Sequence, residues 1–262
     1  MRENRPLILL TNDDGVHSPG LAALCEAVAP LGEVLIAAPA TQQTSTGRSY
    51  PRGPEWGKIQ AISLPMPWGE IPAFSVTASP AACVGHGVLE LAPRKPDLCI
   101  SGINYGENLG KTLTYSGTFG AALQAADFGI PTLAVSRATS YEQIRGDYAQ
   151  LDWSSAARTA AYWAQRVLRE GLAPGVRILN INVPEGTVDP QSYRVTKPSS
   201  HDLFFYGKPG PRDFSQPMCL PGEKRTDFSQ IEPESDMYAV CVDGVISVTP
   251  LTGNFESLDC RL

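Results

Sequence analysis

Residues 6–39 read PLILLTNDDGVHSPGLAALCEAVAPLGEVLIAAP, and their punctuation decides the fold. PLILL (6–10) is a short unbroken apolar run, the pattern of a strand buried on both faces. It stops at TNDDG (11–15), whose residue types dominate turns. LAALCEAVAPL (21–31) then carries apolar residues at helical spacing, with Ser18 placed as N-cap and Pro19 at the first helical position. EVLIAAP (33–39) is a second apolar strand.

The same alternation continues to about residue 185. AACVGHGVLELA (81–92) reads as helix, DLCIS (97–101) as strand and GTFGAALQAADFG (117–129) as helix. PTLAVS (131–136) is a strand, SSAARTAAYWAQRVLREG (154–171) a long helix and VRILNINVP (176–184) a strand. Strands and helices in alternation predict an α/β fold, a mostly parallel sheet with helices on both faces. Residues 1–185 form the core, and 186–262 a C-terminal extension in which 198–235 is Pro-rich and aperiodic. FFY (204–206) is too apolar for a free tail and is expected to pack on something, a second subunit included; VISVTPL (245–251) alternates as a returning strand.

The bulk properties narrow the function. A chain of 262 residues with 42% apolar and 18% charged content suits a globular protein. A net charge of -6 argues against a nucleic-acid polymer as partner, yet leaves room for one small anion if a metal ion supplies positive charge locally. The apolar run Leu7–Leu10 is shorter than the core of a signal peptide, and no stretch is long enough to span a bilayer, so no membrane role is expected. The cysteines at 25, 83, 99, 219, 241 and 260 form no C-x-x-C pair, and a cytoplasmic location fits reduced thiols.

Three polar loops follow predicted strands, where α/β proteins build their sites. In the first, Asp13 and Asp14 are adjacent; in a turn both carboxylates can face one target, and a hard cation such as magnesium, manganese or calcium would relieve their repulsion. The second, PATQQTSTGRS (39–49), offers Gln42, Gln43, Thr44, Ser45, Thr46, Arg48 and Ser49. The third is SGINYGENLGKTLTYSGTFG (101–120). Its Gly110-Lys111-Thr112 imitates a P-loop, but that motif needs a glycine five positions before Gly110, where Tyr105 stands. Asn104 and Asn108 offer amide oxygens, and Ser116-Gly117-Thr118 opens a helix, a natural seat for phosphate. Each of these signals has an ordinary reading, as a turn, a polar loop or an N-cap. A receiver domain would need an aspartate at the end of a later strand, where DLCIS ends in Ser101; a haloacid-dehalogenase phosphatase would need its aspartates two apart.

TNDDGVHSPG (11–20), QTSTGRS (43–49), SGINYGENLG (101–110) and YSGTFGAALQA (115–125) resemble the four signature segments of the SurE survival-protein family, in order. RILNINVP (177–184) and ISVTPL (246–251) match as well, while 198–235 matches poorly. The resemblance implies a Rossmann-like core with a C-terminal arm exchanged between subunits of a homodimer or homotetramer. It implies a phosphomonoesterase using one divalent metal ion per subunit, Mg2+ or Mn2+, on nucleoside 5′- and 3′-monophosphates. Carried over by motif, the metal ligands fall on Asp13, Asp14, Thr44 and Asn104, and the phosphate on Asn108, Ser116, Gly117 and Thr118. The hydroxyl ligand is usually serine in the family; here it is Thr44, with Ser45 as the alternative. Asp13 and Asp14 are the catalytic candidates, either as base or as direct nucleophile. A broad phosphatase or exopolyphosphatase, and a non-catalytic nucleotide-binding protein, are the competing readings. Among other side chains, Tyr105 is set either to stack on a base or to pack under its loop; no histidine is assigned to catalysis.

Overall fold

The computed structural model describes residues 5–139 and 151–254. The chain opens as β1 (Leu7–Thr11), α1 (Pro19–Val28), β2 (Glu33–Pro39), β3 (Ile59–Met66), β4 (Gly69–Val76) and α2 (Pro80–His86). It continues as β5 (Leu98–Tyr105), α3 (Gly117–Asp127), β6 (Thr132–Arg137), α4 (Ser154–Glu170) and β7 (Ile178–Val183). The last elements are β8 (Tyr193–Val195), β9 (Phe204–Tyr206), β10 (Gly222–Lys224), α5 (Asp236–Cys241) and β11 (Ile246–Leu251).

One sheet has the order β3-β4-β2-β1-β5-β6-β7-β11-β8. β4, β2, β1, β5, β6 and β7 run parallel to one another, while β3 and β11 are antiparallel to β4 and β7. The sheet is therefore mostly parallel, and it is covered on both faces. Successive side chains of a strand point to opposite faces. Ile8 and Leu10 accordingly join Leu21, Leu24, Val28, Ala160 and Trp163 of α1 and α4 in one core. Leu9 faces the other way and packs with Val84 of α2 and Ala121 and Ala125 of α3. On α4, Ala156, Ala160, Trp163 and Val167 are buried at spacings of three and four, the inward stripe expected of a helix on a sheet.

The expected elements from β1 to β7 are present. The sequence reading leaves out the β3–β4 hairpin, which forms the sheet's outer edge. The C-terminal region is divided in its role. β11 re-enters the sheet between β7 and β8, whereas β9 and β10 pair only with each other as an antiparallel ribbon. That ribbon and the loop joining its strands expose Phe205, Tyr206, Phe214, Met218 and Leu220. Among the described residues no helix is long and apolar enough to cross a membrane.

The connection from β1 places β2 on one side of it, and the chain later returns to place β5 on the other. The carboxyl ends of β1 and β5 are thus the point where strand order reverses, the crevice in which open α/β sheets bind ligands.

Candidate active site

The acidic turn is fixed from several sides. The Asn12 carboxamide brackets Gly15, donating to its carbonyl at 3.0 Å and accepting from its amide at 3.2 Å. Gly15 adopts φ 99°, which favours glycine. Val16 N donates to Pro39 O at 2.8 Å, tying the turn to the end of β2. Asp13 and Asp14 are left 4% and 1% exposed.

The two carboxylates are held differently. Asp13 lies against the start of α3, where Thr118 Oγ1 donates to its Oδ1 at 2.6 Å. A Cβ on Gly117 would come within 2.7 Å of Asp13 Cβ, so only glycine lets the helix start so close. Asp14 Oδ2 accepts from Tyr105 N at 3.1 Å, and its Oδ1 accepts from Gln42 Nε2 at 3.4 Å. Burial raises the Asp13 carboxyl from 3.8 to about 6, against the lowering hydrogen bonds from Thr118 and nearby backbone. Burial, and then the charge of Asp13, push Asp14 well above its ordinary value. A proton on one carboxyl, or a cation between the two, would relieve such a pair.

A β-bulge between Ser101 and Asn104, with Gly102 at φ 144°, re-aims the end of β5. Asn104 Nδ2 donates to the carbonyls of Tyr105 at 3.1 Å and Gly106 at 2.8 Å. Both of its N–H groups are thereby used, which leaves Oδ1 as the group available to a ligand. The loop after β2 is drawn in by Gln43 N, which donates to Asp13 O at 2.6 Å. Thr44, the next residue, is exposed. Ser45 beside it has φ 62°, a left-handed conformation uncommon for any residue but glycine. Behind the loop, a Cβ on Gly120 would lie 2.4 Å from Gly47 O, so α3 and this loop also meet through a glycine.

The structure thus brings together Asp13, Asp14, Asn104, Gly117 and Thr118, with Thr44 on a loop anchored to the same turn. Ser116 caps α3, its Oγ accepting from Phe119 N at 3.0 Å, while its hydroxyl proton stays available. Asn108 belongs to a buried amide network. Its N donates to Asn182 Oδ1 at 2.8 Å, its Nδ2 to Ser136 Oγ at 2.9 Å, and its carbonyl accepts from Asn180 and Asn182. The sequence signal for that network is the pair Asn180 and Asn182 within an otherwise apolar strand. Tyr105 is buried edge-on to Trp153 at 4.8 Å, so it packs under the loop. Gly110–Thr114 is a 3-10 turn rather than a phosphate loop, and Lys111 is exposed, 3.8 Å from Asp202. Among the described residues no group of three or more His, Cys, Asp or Glu could hold a metal ion. A cation here would rest on two carboxylates and neutral oxygens, a set that suits hard ions.

A mostly parallel, doubly wound sheet with its acidic turn at the switch point defines an α/β protein that works at the carboxyl ends of β1 and β5. The family model described as Survival protein SurE matches residues 8–203. The chain belongs to the SurE family. It is 37% identical over 265 aligned positions to a protein of Syntrophotalea carbinolica named 5′-nucleotidase SurE, covering 97% of this chain and 95% of that one. A protein of Methanothermobacter thermautotrophicus with the same name is 46% identical over 180 positions, 68% of this chain and 67% of its own. The crystal structure of the SurE protein from Aquifex aeolicus superposes with a TM-score of 0.73 at 28% identity, covering 96% of this chain and 95% of that one.

Proposed function

We propose that this chain is a divalent-metal-dependent phosphomonoesterase that hydrolyses nucleoside 5′- and 3′-monophosphates to nucleoside and phosphate. The observation that carries the reading is the buried Asp13–Asp14 pair, both carboxyls pushed upward, set against the first turn of α3. The names of its relatives, 5′-nucleotidase SurE, point to the same substrate class.

The donor set fits one Mg2+ or Mn2+ per subunit. Asp13, Asp14, Asn104 Oδ1 and the Thr44 hydroxyl would hold it, and a cation between the carboxylates would reverse what raises them. When bound, the ion supplies positive charge against the phosphoryl oxygens and activates water for attack. The chain's own groups do the rest. The start of α3, at Ser116, Gly117 and Thr118, orients the phosphate through its dipole and the Ser116 hydroxyl. Thr118 holds Asp13 and Tyr105 N holds Asp14, so that one carboxylate of the pair can take the proton of the attacking water. Asn108, on the loop that follows Asn104, is held by Ser136, Asn180 and Asn182 and would add an amide to the phosphate site.

We further infer that the β9–β10 ribbon joins subunits of a homodimer or homotetramer, because it presents Phe205, Tyr206 and Phe214 with no described covering. The described cysteines are free, in keeping with a reducing cytoplasm; recovery of the chain only from extracytoplasmic fractions would contradict this.

The test is phosphate release from 5′- and 3′-monophosphates and short polyphosphate, with Mg2+, with Mn2+ and with EDTA. Turnover is expected with metal and should fall by about 10³-fold or more in EDTA. The panel separates a nucleotidase from a broad phosphatase. Binding of nucleotides without any release would replace the enzyme by a binding protein. Light scattering on the same sample should give a multiple of 28.1 kDa, and a monomer would remove the subunit role of the ribbon.

A further inference from the structure

The segment leaving β5 toward α3 is gripped by the C-terminal region. Glu107 is 4% exposed, and its Oε1 accepts from Lys224 Nζ, at the end of β10, at 2.6 Å. Lys224 also donates to Thr139 O at 3.2 Å. The second oxygen, Glu107 Oε2, is buried with no hydrogen-bond partner among the described residues. A little further on, Gly110 N donates to Asp236 Oδ2 at 2.9 Å, and the other oxygen of Asp236 accepts from Ser199 N at 2.9 Å. The pair borders a cavity of about 530 Å³, walled also by Glu185, Arg225 and Phe228.

An exposed ion pair would contribute little here. A carboxylate this buried behaves differently, because removing its one described cation leaves an uncompensated charge that must find water. The peptide joining Gly106 to Glu107 would move with it. Its carbonyl, Gly106 O, is the nearer of the two that accept from Asn104 Nδ2, at 2.8 Å against 3.1 Å for Tyr105 O. A side chain of the C-terminal ribbon is thereby linked to the orientation of the Asn104 carboxamide.

We propose that Lys224 is a positioning residue for the active site: through Glu107 it fixes the Gly106–Glu107 peptide, whose carbonyl aims Asn104 Oδ1 at the cation. The proposal rests on the metal-site reading above.

The test compares Lys224→Met, Glu107→Gln and the double variant with the parent, by Mn2+ titration calorimetry and by kinetics on a nucleoside 5′-monophosphate. Lys224→Met should weaken Mn2+ binding about tenfold or more. Its kcat should fall further than its KM rises, as expected for lost positioning. The double variant should bind Mn2+ no more weakly than Lys224→Met alone, since both changes break the same link and their effects do not add. Glu107→Gln keeps the side-chain size, removes the buried charge and leaves Lys224, whose side chain is 25% exposed, able to reach solvent, so this variant is expected to fold even if Lys224→Met does not. It too should lose Mn2+ affinity. Parental Mn2+ affinity in Glu107→Gln, with only the melting temperature changed, would reduce the pair to a structural tie and overturn the proposal. A parent that binds no Mn2+ would instead overturn the metal-site reading, and this proposal with it.

Discussion

Asp14→Asn is expected to lower kcat at saturating metal by about 10³-fold or more while leaving the fold at least as stable as the parent. Asparagine keeps the size of the side chain and an oxygen to accept from Tyr105 N, so the turn is preserved. What it removes is one of two negative charges buried side by side. In the metal-free protein that charge is a burden, since burial and the neighbouring carboxylate both oppose it. The burden has a definite pH dependence. Asp13 has a folded-state value of about 6 against 3.8 ordinarily, so the folded state holds its proton more tightly than the unfolded one. The stability from that proton is complete below pH 3.8 and is lost as pH rises through 6. A difference of that size corresponds to about 3 kcal/mol. Asp14 is raised too, by burial and then by the charge of Asp13, so calorimetry in EDTA should show Asp14→Asn melting progressively above the parent as pH rises from about 4 to 7, because the variant no longer carries that second raised carboxyl. Saturating Mn2+ should raise the parent's melting temperature and erase that gap. Near-parental turnover in the variant would remove Asp14 from the machinery, and a gap that shrinks with rising pH would contradict the buried pair.

Gly117→Ala should separate activity from stability in a second way. The added Cβ would lie 2.7 Å from Asp13 Cβ and 2.9 Å from its Oδ2, closer than real contacts allow. Gly117 does not need a left-handed backbone, so alanine brings no conformational strain, and its helix propensity is better by about 1 kcal/mol. The conflict is local and is relieved by moving Asp13 away from Thr118. Displacement of a reacting group by about 1 Å costs about 10²-fold in rate. The expected result is a kcat reduced by about that factor, weaker Mn2+ binding and a melting temperature within a few degrees of the parent. Activity within threefold of the parent would show that the close approach of α3 to the acidic turn has no catalytic importance.

Much of this architecture is written locally in the chain, and the exceptions have physical causes. β1, β2, β5, β6 and β7 stand out because a parallel strand covered on both faces must be a continuous apolar run. The β3–β4 hairpin escapes that reading because Pro65, Pro67 and Pro72 interrupt it. Prolines are tolerated there since β3 is an edge strand, and β4 pairs with β2 only from Phe74 to Val76, beyond Pro72. β8, β9 and β10 have three residues each, too few for any period to register. In the site, Asp13, Asp14 and Asn104 are legible because their loops follow strands of one parallel sheet. Ser116 caps α3, one of the readings its place before the helix allows, whereas Asn108 reveals its packing role only in three dimensions, through Asn180 and Asn182. Glu107 and Lys224 lie 117 positions apart, and nothing in either neighbourhood announces the other.

The position of β11 governs the order in which the molecule can be made. Its partner Ile178–Val183 is synthesised well before residues 246–251 exist. A nascent chain stalled near residue 230 on the ribosome would carry α1 to α4, yet present β7 as an unpaired border open to another polypeptide. Closing that border joins segments far apart in the chain, and such long-range pairing is slow. Translation therefore has an interval in which that border is open to wrong pairing, and it ends only when β11 emerges.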